Sequence, residues 1–290
     1  MQQIEQYFSK DVDRTLYHYS GVGSLMGMAA TKCLWASNVY YMNDSTEIVH
    51  ACNVLENVLR TRLAFGNPES SETEFLKQFQ SWVNSCRSTT YDLFVFSLSE
   101  EPSILSQWRS YTPHGKGISI GFPQNLLTSI MQKSNLRIAK CIYDNDEQED
   151  ILGGLVEKLL ITFRQDESTI DLTKAHQTQS YYPYLENFRS DVLQVLAIIK
   201  HKAFEEEKEW RLISEYYPMY TIPSIKFREG SSMLVPYIEI PLGESKPYFE
   251  KIILGPSPHQ NLSMSALSKF LSNQNLCGHT ENCTIPYREW

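Results

Sequence analysis

The chain has 290 residues, 42% of them hydrophobic and 21% charged, with a formal net charge of −8. Such a composition belongs to ordinary globular proteins, and the length suffices to bury a core without disulfide or metal staples. It excludes a protein that wraps duplex nucleic acid by bulk positive charge, leaving a local basic groove as the alternative.

In chain order, RTLYHYS at residues 14–20 reads as a strand, and the SGVGSL turn after it can begin a short helix. A strand signal follows at 34–36. Asn43-Asp44-Ser45 then offers a helix cap, with Ile48, Cys52, Leu55, Val58, Leu59 and Leu63 at helical spacing. Gly66-Asn67-Pro68 ends that helix, and a second over 72–86 carries Phe75, Phe79, Trp82 and Val83 on one stripe. LFVFSL at 93–98 is a buried strand, 103–111 a helix, and GISIGF at 117–122 a strand expected to pair with 136–143. Helices are expected over 149–163 and 183–202. The polar stretch between them, Arg164 to Tyr182, is the candidate for a mobile lid. Strands at 225–228, 234–240 and 249–254, a helix at 263–271 and a strand near 283–286 complete the chain. The irregular alternation of strands and helices, without repeat or linker, points to one α+β domain spanning 1–290.

The amino-terminal MQQIEQYFSK lacks the basic and apolar regions of a signal peptide, and no apolar run reaches membrane-spanning length. A cytoplasmic protein without a membrane partner is expected. The six cysteines include no CxxC pair. Cys277, His279 and Cys283 cluster in CGHTENC but lack a fourth ligand, so free thiols and no metal are expected.

Phosphate-loop, GxGxxG, HExxH and GxSxG templates are missing. The richest stretch is AFEEEKEWRLIS at 203–214. Extended from Glu207 onward, it puts Glu207, Glu209 and Arg211 on one face and Trp210 and Leu212 on the other. The plainer reading is a solvated edge strand. His18 sits between Tyr17 and Tyr19 at the end of the first strand, where a histidine is more often structural than functional. Ser97 and Ser99 share one face of their strand, or simply return their hydroxyls to the backbone. Trp108 and Tyr111 lie one helical turn apart, Trp108 reading as core and Tyr111 as cleft-facing. Arg211 and Arg228 on late strands each need a carboxylate or an anionic ligand.

RTLYHYS, LWASNVYYMNDSTE, FSLSEEPSILSQWRSYTPHGKGISIGF, FEEEKEWRLI, KIILGP and IPYRE together resemble a bacterial family catalogued as domain of unknown function 2971, in order from Arg14 to Glu289. More remotely, His18 on the opening strand and Glu207-Lys208-Glu209 on a later one resemble ADP-ribosyltransferase folds. That resemblance implies a single domain with a split, mostly antiparallel sheet flanked by helices, and NAD as substrate without a metal. It implies Glu209 stabilising the oxocarbenium-like ribose as nicotinamide leaves, with Glu207 orienting or deprotonating the acceptor. Arg211 would keep the carboxylates ionised, and His18 would hold the adenosine-side ribose. Tyr19 or Tyr111 would stack on a ring, Ser97 and Ser99 would match the hydroxyl-bearing strand, and Arg228 would meet the pyrophosphate. ADP-ribose would pass to a protein, a nucleic acid or water, which suits a toxin or phage-defence effector with an antitoxin partner. Two alternatives remain at this point. One is a non-catalytic module binding a nucleotide or nucleic-acid end. The other is a metal-dependent nuclease using the acids of 205–209 with Asp44 and Glu47.

Overall fold

The computed structural model describes residues 7–8, 12–42, 47–87, 92–171, 173–218, 225–230, 232–244 and 246–286. The expected Asn43-Asp44-Ser45 cap and most of the closing IPYRE lie outside these residues. The strands are Leu16–Gly21 (β1), Cys33–Asn38 (β2), Phe94–Ser99 (β3), Gly117–Phe122 (β4), Arg137–Lys140 (β5), Glu209–Ile213 (β6), Lys226–Glu229 (β7), Leu234–Pro241 (β8), Ile252–Leu254 (β9) and Thr280–Asn282 (β10). The helices are Val22–Thr31 (α1), Glu47–Phe65 (α2), Ser71–Val83 (α3), Leu105–Tyr111 (α4), Gln124–Ser134 (α5), Asn145–Asp166 (α6), Gln177–Glu186 (α7), Arg189–Leu196 (α8) and Gln260–Gln274 (α9).

This is a mixed α+β fold in which, among the described residues, every strand pairing is antiparallel except β9 with β10. The sheet runs β10-β9-β4-β1-β3-β2-β8-β7, with β6 and then β5 added at β3. Three strands therefore meet β3. Along one edge, β6 pairs with it from Val95↔Ile213 to Ser99↔Glu209. On the other edge β1 holds the Ser99 end through Tyr17↔Ser99, and β2 holds the opposite end through Ser37↔Val95 and Asn38↔Phe94. Phe96, Ser97 and Leu98 lie between, with no strand beside them on that edge. The sheet forks there.

Alternation along the strands separates two cores. Phe94, Phe96, Leu98 and Leu212 point into one, with Leu25 of α1 and Leu127 of α5. Val95 and Ile213 point into the other, against α2, α3 and α6. The aromatic stripe of α3 reads directly from its spacing: Phe75, Phe79, Trp82 and Val83 are all fully buried. Ser70 caps that helix by accepting from the Thr73 amide at 3.2 Å, and Asp144 caps α6 by accepting from the Asp146 and Glu147 amides.

Several expectations change. The helix expected over 183–202 is two, α7 and α8, the second ending at Leu196, and the strand expected near 283–286 lies at Thr280–Asn282. Residues 137–140 pair with β6 rather than with β4. The amphipathic helix α5, with Leu126, Leu127, Ile130 and Met131 buried, carries the chain away from β4, whose neighbours are β1 and β9. The stretch 164–182 is only partly irregular. It ends α6, makes a 3₁₀ turn, passes through exposed bends at 173–176 and begins α7, whose Tyr181 is 2% exposed and packs near Phe163, and none of its described residues lines the main cavity. Finally, Glu207 is not on a strand. It ends a 3₁₀ turn over Lys202–Glu207, Lys208 takes a left-handed conformation (φ 44°), and β6 begins only at Glu209.

Candidate functional site

The fork opens a cavity of about 640 Å³, lined by β1, β2, β3, the end of α4, β6 and Arg228 of β7. Close packing at Gly21 helps shape its wall, since a Cβ there would meet the Pro113 ring at 2.9 Å. The size is that of an ordinary small-molecule site.

One side is a buried ion cluster. Arg211 is 1% exposed and spends its guanidinium on protein groups. Its Nε donates to Glu209 Oε1 (2.8 Å), its Nη1 to the Ala197 carbonyl (2.7 Å), and its Nη2 to both Glu47 oxygens (2.7 and 2.8 Å) and to Glu209 Oε2 (3.0 Å). Lys200 Nζ donates at 2.5 Å to Glu207 Oε2 and at 2.5 Å to Glu209 Oε2, and lies 3.5 Å from Glu47 Oε1. Tyr111 completes the cluster by donating its hydroxyl to Glu207 Oε1 at 2.8 Å.

The two carboxylates are driven in opposite directions. Burial alone would raise the pKa of Glu209, but the Arg211 and Lys200 charges outweigh it and hold the carboxyl well below the usual range. Burial prevails at Glu207, whose pKa is raised despite the opposing Lys200 ammonium. Carboxyl pairs split in this way are a familiar source of acid–base function. Burial also raises the Tyr111 phenol, which therefore stays a hydrogen-bond donor.

His18 lies on the other face of the sheet by its register, opposite Ile120 and stacked on Phe96 at 4.3 Å between centroids. It nevertheless borders the same cavity, because β1 and β3 separate beyond Tyr17↔Ser99. Its Nδ1 lies 2.9 Å from the Ser97 carbonyl, which can only accept, so Nδ1 carries the proton and Nε2 presents a lone pair. Burial pushes the His18 pKa down to about 4, with the nearby Arg228 charge adding to the effect. The ring is neutral at physiological pH and can accept a hydrogen bond, such as one from a sugar hydroxyl.

The remaining expected residues also border the cavity, in varied states. The Tyr19 hydroxyl donates to the Glu101 carbonyl (2.8 Å) and accepts from the Ile104 amide (2.9 Å), while its ring meets Trp108 edge-on at 5.0 Å. Its ring and hydroxyl thus anchor the approach to α4. Ser99 is similarly occupied, donating to the Glu207 carbonyl and accepting from the Glu101 amide. Ser97 differs: its Oγ is buried without a hydrogen-bond partner. Arg228 donates from Nη2 to Ser37 Oγ at 3.1 Å and has no ion pair among the described residues.

Sequence reasoning missed Lys200 and did not place Glu47 beside Arg211. The available signal for Lys200 was a lysine directly after the apolar run VLAII. A cation leaving a buried segment needs a buried anion. The nuclease alternative loses Glu47 and Glu209 to Arg211 and Lys200, and Asp44 lies outside the described residues. In CGHTENC, Cys277 donates to the His279 carbonyl and His279 pairs with Glu281 at 2.8 Å.

Fold and site together define a mixed α+β protein with a forked antiparallel sheet and a polar, ion-clustered cleft. A family model described as a protein of unknown function (DUF2971) matches residues 107–212. That stretch runs from the helix bearing Tyr111 to β6 and includes Lys200, Glu207, Glu209 and Arg211, whereas His18, Ser97 and Arg228 lie outside it. The likeness thus has support over the middle of the chain rather than from Arg14 to Glu289, and it carries no activity with it. No curated protein matches the chain. No helix among the described residues is long and apolar enough to cross a membrane.

Proposed function

We propose that the cleft binds NAD and that the protein cleaves the nicotinamide–ribose bond in the manner of ADP-ribosyltransferases, passing ADP-ribose to a protein, a nucleic acid or water. The observation that carries this reading is the fork itself. A neutral imidazole on β1 and a carboxylate just ahead of β6 border one cavity of dinucleotide scale. The C–N bond breaks with its electron pair leaving on nicotinamide, and positive charge develops on the ribose carbon and ring oxygen. Glu207 is the carboxylate suited to stabilise that charge or to take the acceptor's proton, because it lines the cavity, is held by Tyr111 and Lys200 and, unlike Glu209, is not held by Arg211. Glu209, with both oxygens held by Arg211 and Lys200, positions Lys200 instead. The charge-stabilising role first expected of Glu209 thus passes to Glu207, which keeps its expected part toward the acceptor. A toxin or phage-defence role, and an antitoxin, rest on the resemblance alone.

The test is nicotinamide release from NAD by the purified protein, lost in Glu207→Gln. Release that persists unchanged in that variant overturns the assignment. A second reading, binding without turnover, is favoured by the internal partners that both glutamates already have. Calorimetric NAD binding with no nicotinamide released would select it.

A further inference from the structure

We infer that the β2 side of the fork is an anion pocket for a phosphoryl group, so that the cleft takes a phosphorylated nucleotide rather than a free nucleoside. The inference rests on reading the cavity as a nucleotide site, but it does not depend on bond cleavage.

Ser97 stands midway along the unpaired edge of β3. The Phe94 carbonyl accepts from Ser214 on the β6 side, so alternation turns the Ser97 N–H and C=O to the fork. His18 takes the carbonyl, while the amide has no ladder partner from β1 or β2. The Ser97 hydroxyl is buried and unpartnered as well. Continuing the β2–β3 register two residues past Ser37↔Val95 sets Trp35 across the gap from Ser97. Trp35 Nε1 is also buried without a partner, and both residues line the cavity.

Arg228 reaches the same side from β7. The residue is exposed on β7, where partial desolvation lowers its pKa and no carboxylate pairs with it among the described residues. Glu229 borders the cavity too, but the pleat turns it to the opposite face of β7. The groups gathered here are an indole N–H, an amide N–H, a hydroxyl and a guanidinium. Three can only donate and the fourth can do so, and leaving the buried indole N–H and hydroxyl unsatisfied is costly. A phosphoryl group supplies the acceptors and the charge they lack. At the other side three carboxylates, Glu47, Glu207 and Glu209, face two cations, Lys200 and Arg211, which disfavours an anion there.

The test is calorimetric titration of the full chain with ADP-ribose, inorganic pyrophosphate, adenosine and a 5′-phosphorylated oligonucleotide. ADP-ribose and pyrophosphate should bind and compete, and adenosine should bind at least about tenfold more weakly than ADP-ribose. Arg228→Gln should weaken ADP-ribose by on the order of tenfold to a hundredfold, and Trp35→Phe, which keeps the ring, by about tenfold. Competition by the oligonucleotide with the same Arg228 dependence assigns the phosphate to a nucleic-acid end, and its failure to compete assigns it to the dinucleotide. Adenosine binding as tightly as ADP-ribose, or both variants binding ADP-ribose like the unmodified protein, overturns the inference. Absence of any phosphate binding does the same. Phosphate binding without nicotinamide release leaves the anion pocket standing and removes the glycosidic reading.

Discussion

Glu207 and Glu209 stand on either side of a left-handed residue, yet both grip one ammonium, that of Lys200, at 2.5 Å. The turn at Lys208 makes this possible. In an extended chain the two side chains would project in parallel, about 7 Å apart. Here the chain reverses and both converge on a cation presented from another segment.

The two glutamates should therefore fail in different ways. Glu209→Gln leaves Arg211 and Lys200 short of a buried counter-charge and should cost about 3–5 kcal/mol of stability in urea unfolding. Glu207→Gln removes one carboxylate while Lys200 keeps Glu209 and Glu47. It should lose nicotinamide release at a stability cost of about 1 kcal/mol. Equal destabilisation by both would contradict the division of labour.

Arg211→Lys should not preserve the fold's stability. A lysine cannot span Glu209, Glu47 and the Ala197 carbonyl at once, as the guanidinium does. A loss of about 3 kcal/mol or more is expected from the urea midpoint.

His18 sets a pH dependence. Its folded pKa of about 4 lies below the ordinary value of 6.5, so between those pH values the unfolded chain holds the extra proton. Stability tied to His18 is therefore full above about pH 6.5, falls as the pH drops toward 4, and changes no further below that. The contribution is about 3 kcal/mol. His18→Gln should remove that slope, as read by urea unfolding at pH 7, 5.5 and 4. In the unmodified protein, imidazole nitrogen shifts in NMR should show a protonated Nδ1 and no titration between pH 5.5 and 8.

Gly154→Ala is expected to stabilise. The residue lies inside the 22-residue helix α6, and an added Cβ meets nothing within 4 Å. The gain should be about 0.5–1 kcal/mol, and a lowered unfolding midpoint would count against it.

Much of this architecture is legible locally. Phe75, Phe79 and Trp82 recur at one helical face, and GISIGF carries the strand that is observed at Gly117–Phe122. The alternation of Trp210 and Leu212 against Glu209 and Arg211 also holds. Strand partners were less legible. Residues 137–140 match several edges equally well by pattern, and α5 decides which one they reach. The polar run 164–182 looked unstructured because its helical turns bury few side chains, Tyr181 among them.

The types of residue in the cleft were set by the chain alone: a histidine beside tyrosines, acids around Lys208, and arginines on late strands. Tertiary structure decided which of them remain available. Lys200 and Glu47 arrive from distant segments to neutralise Arg211 and Glu209, and the fork at β3 leaves Ser97 without a strand on the edge away from β6. The physical reason is that periodicity within a strand specifies which face a side chain takes. Pairing of buried charges, and the gap between diverging strands, depend on groups that meet only after the sheet has closed around them.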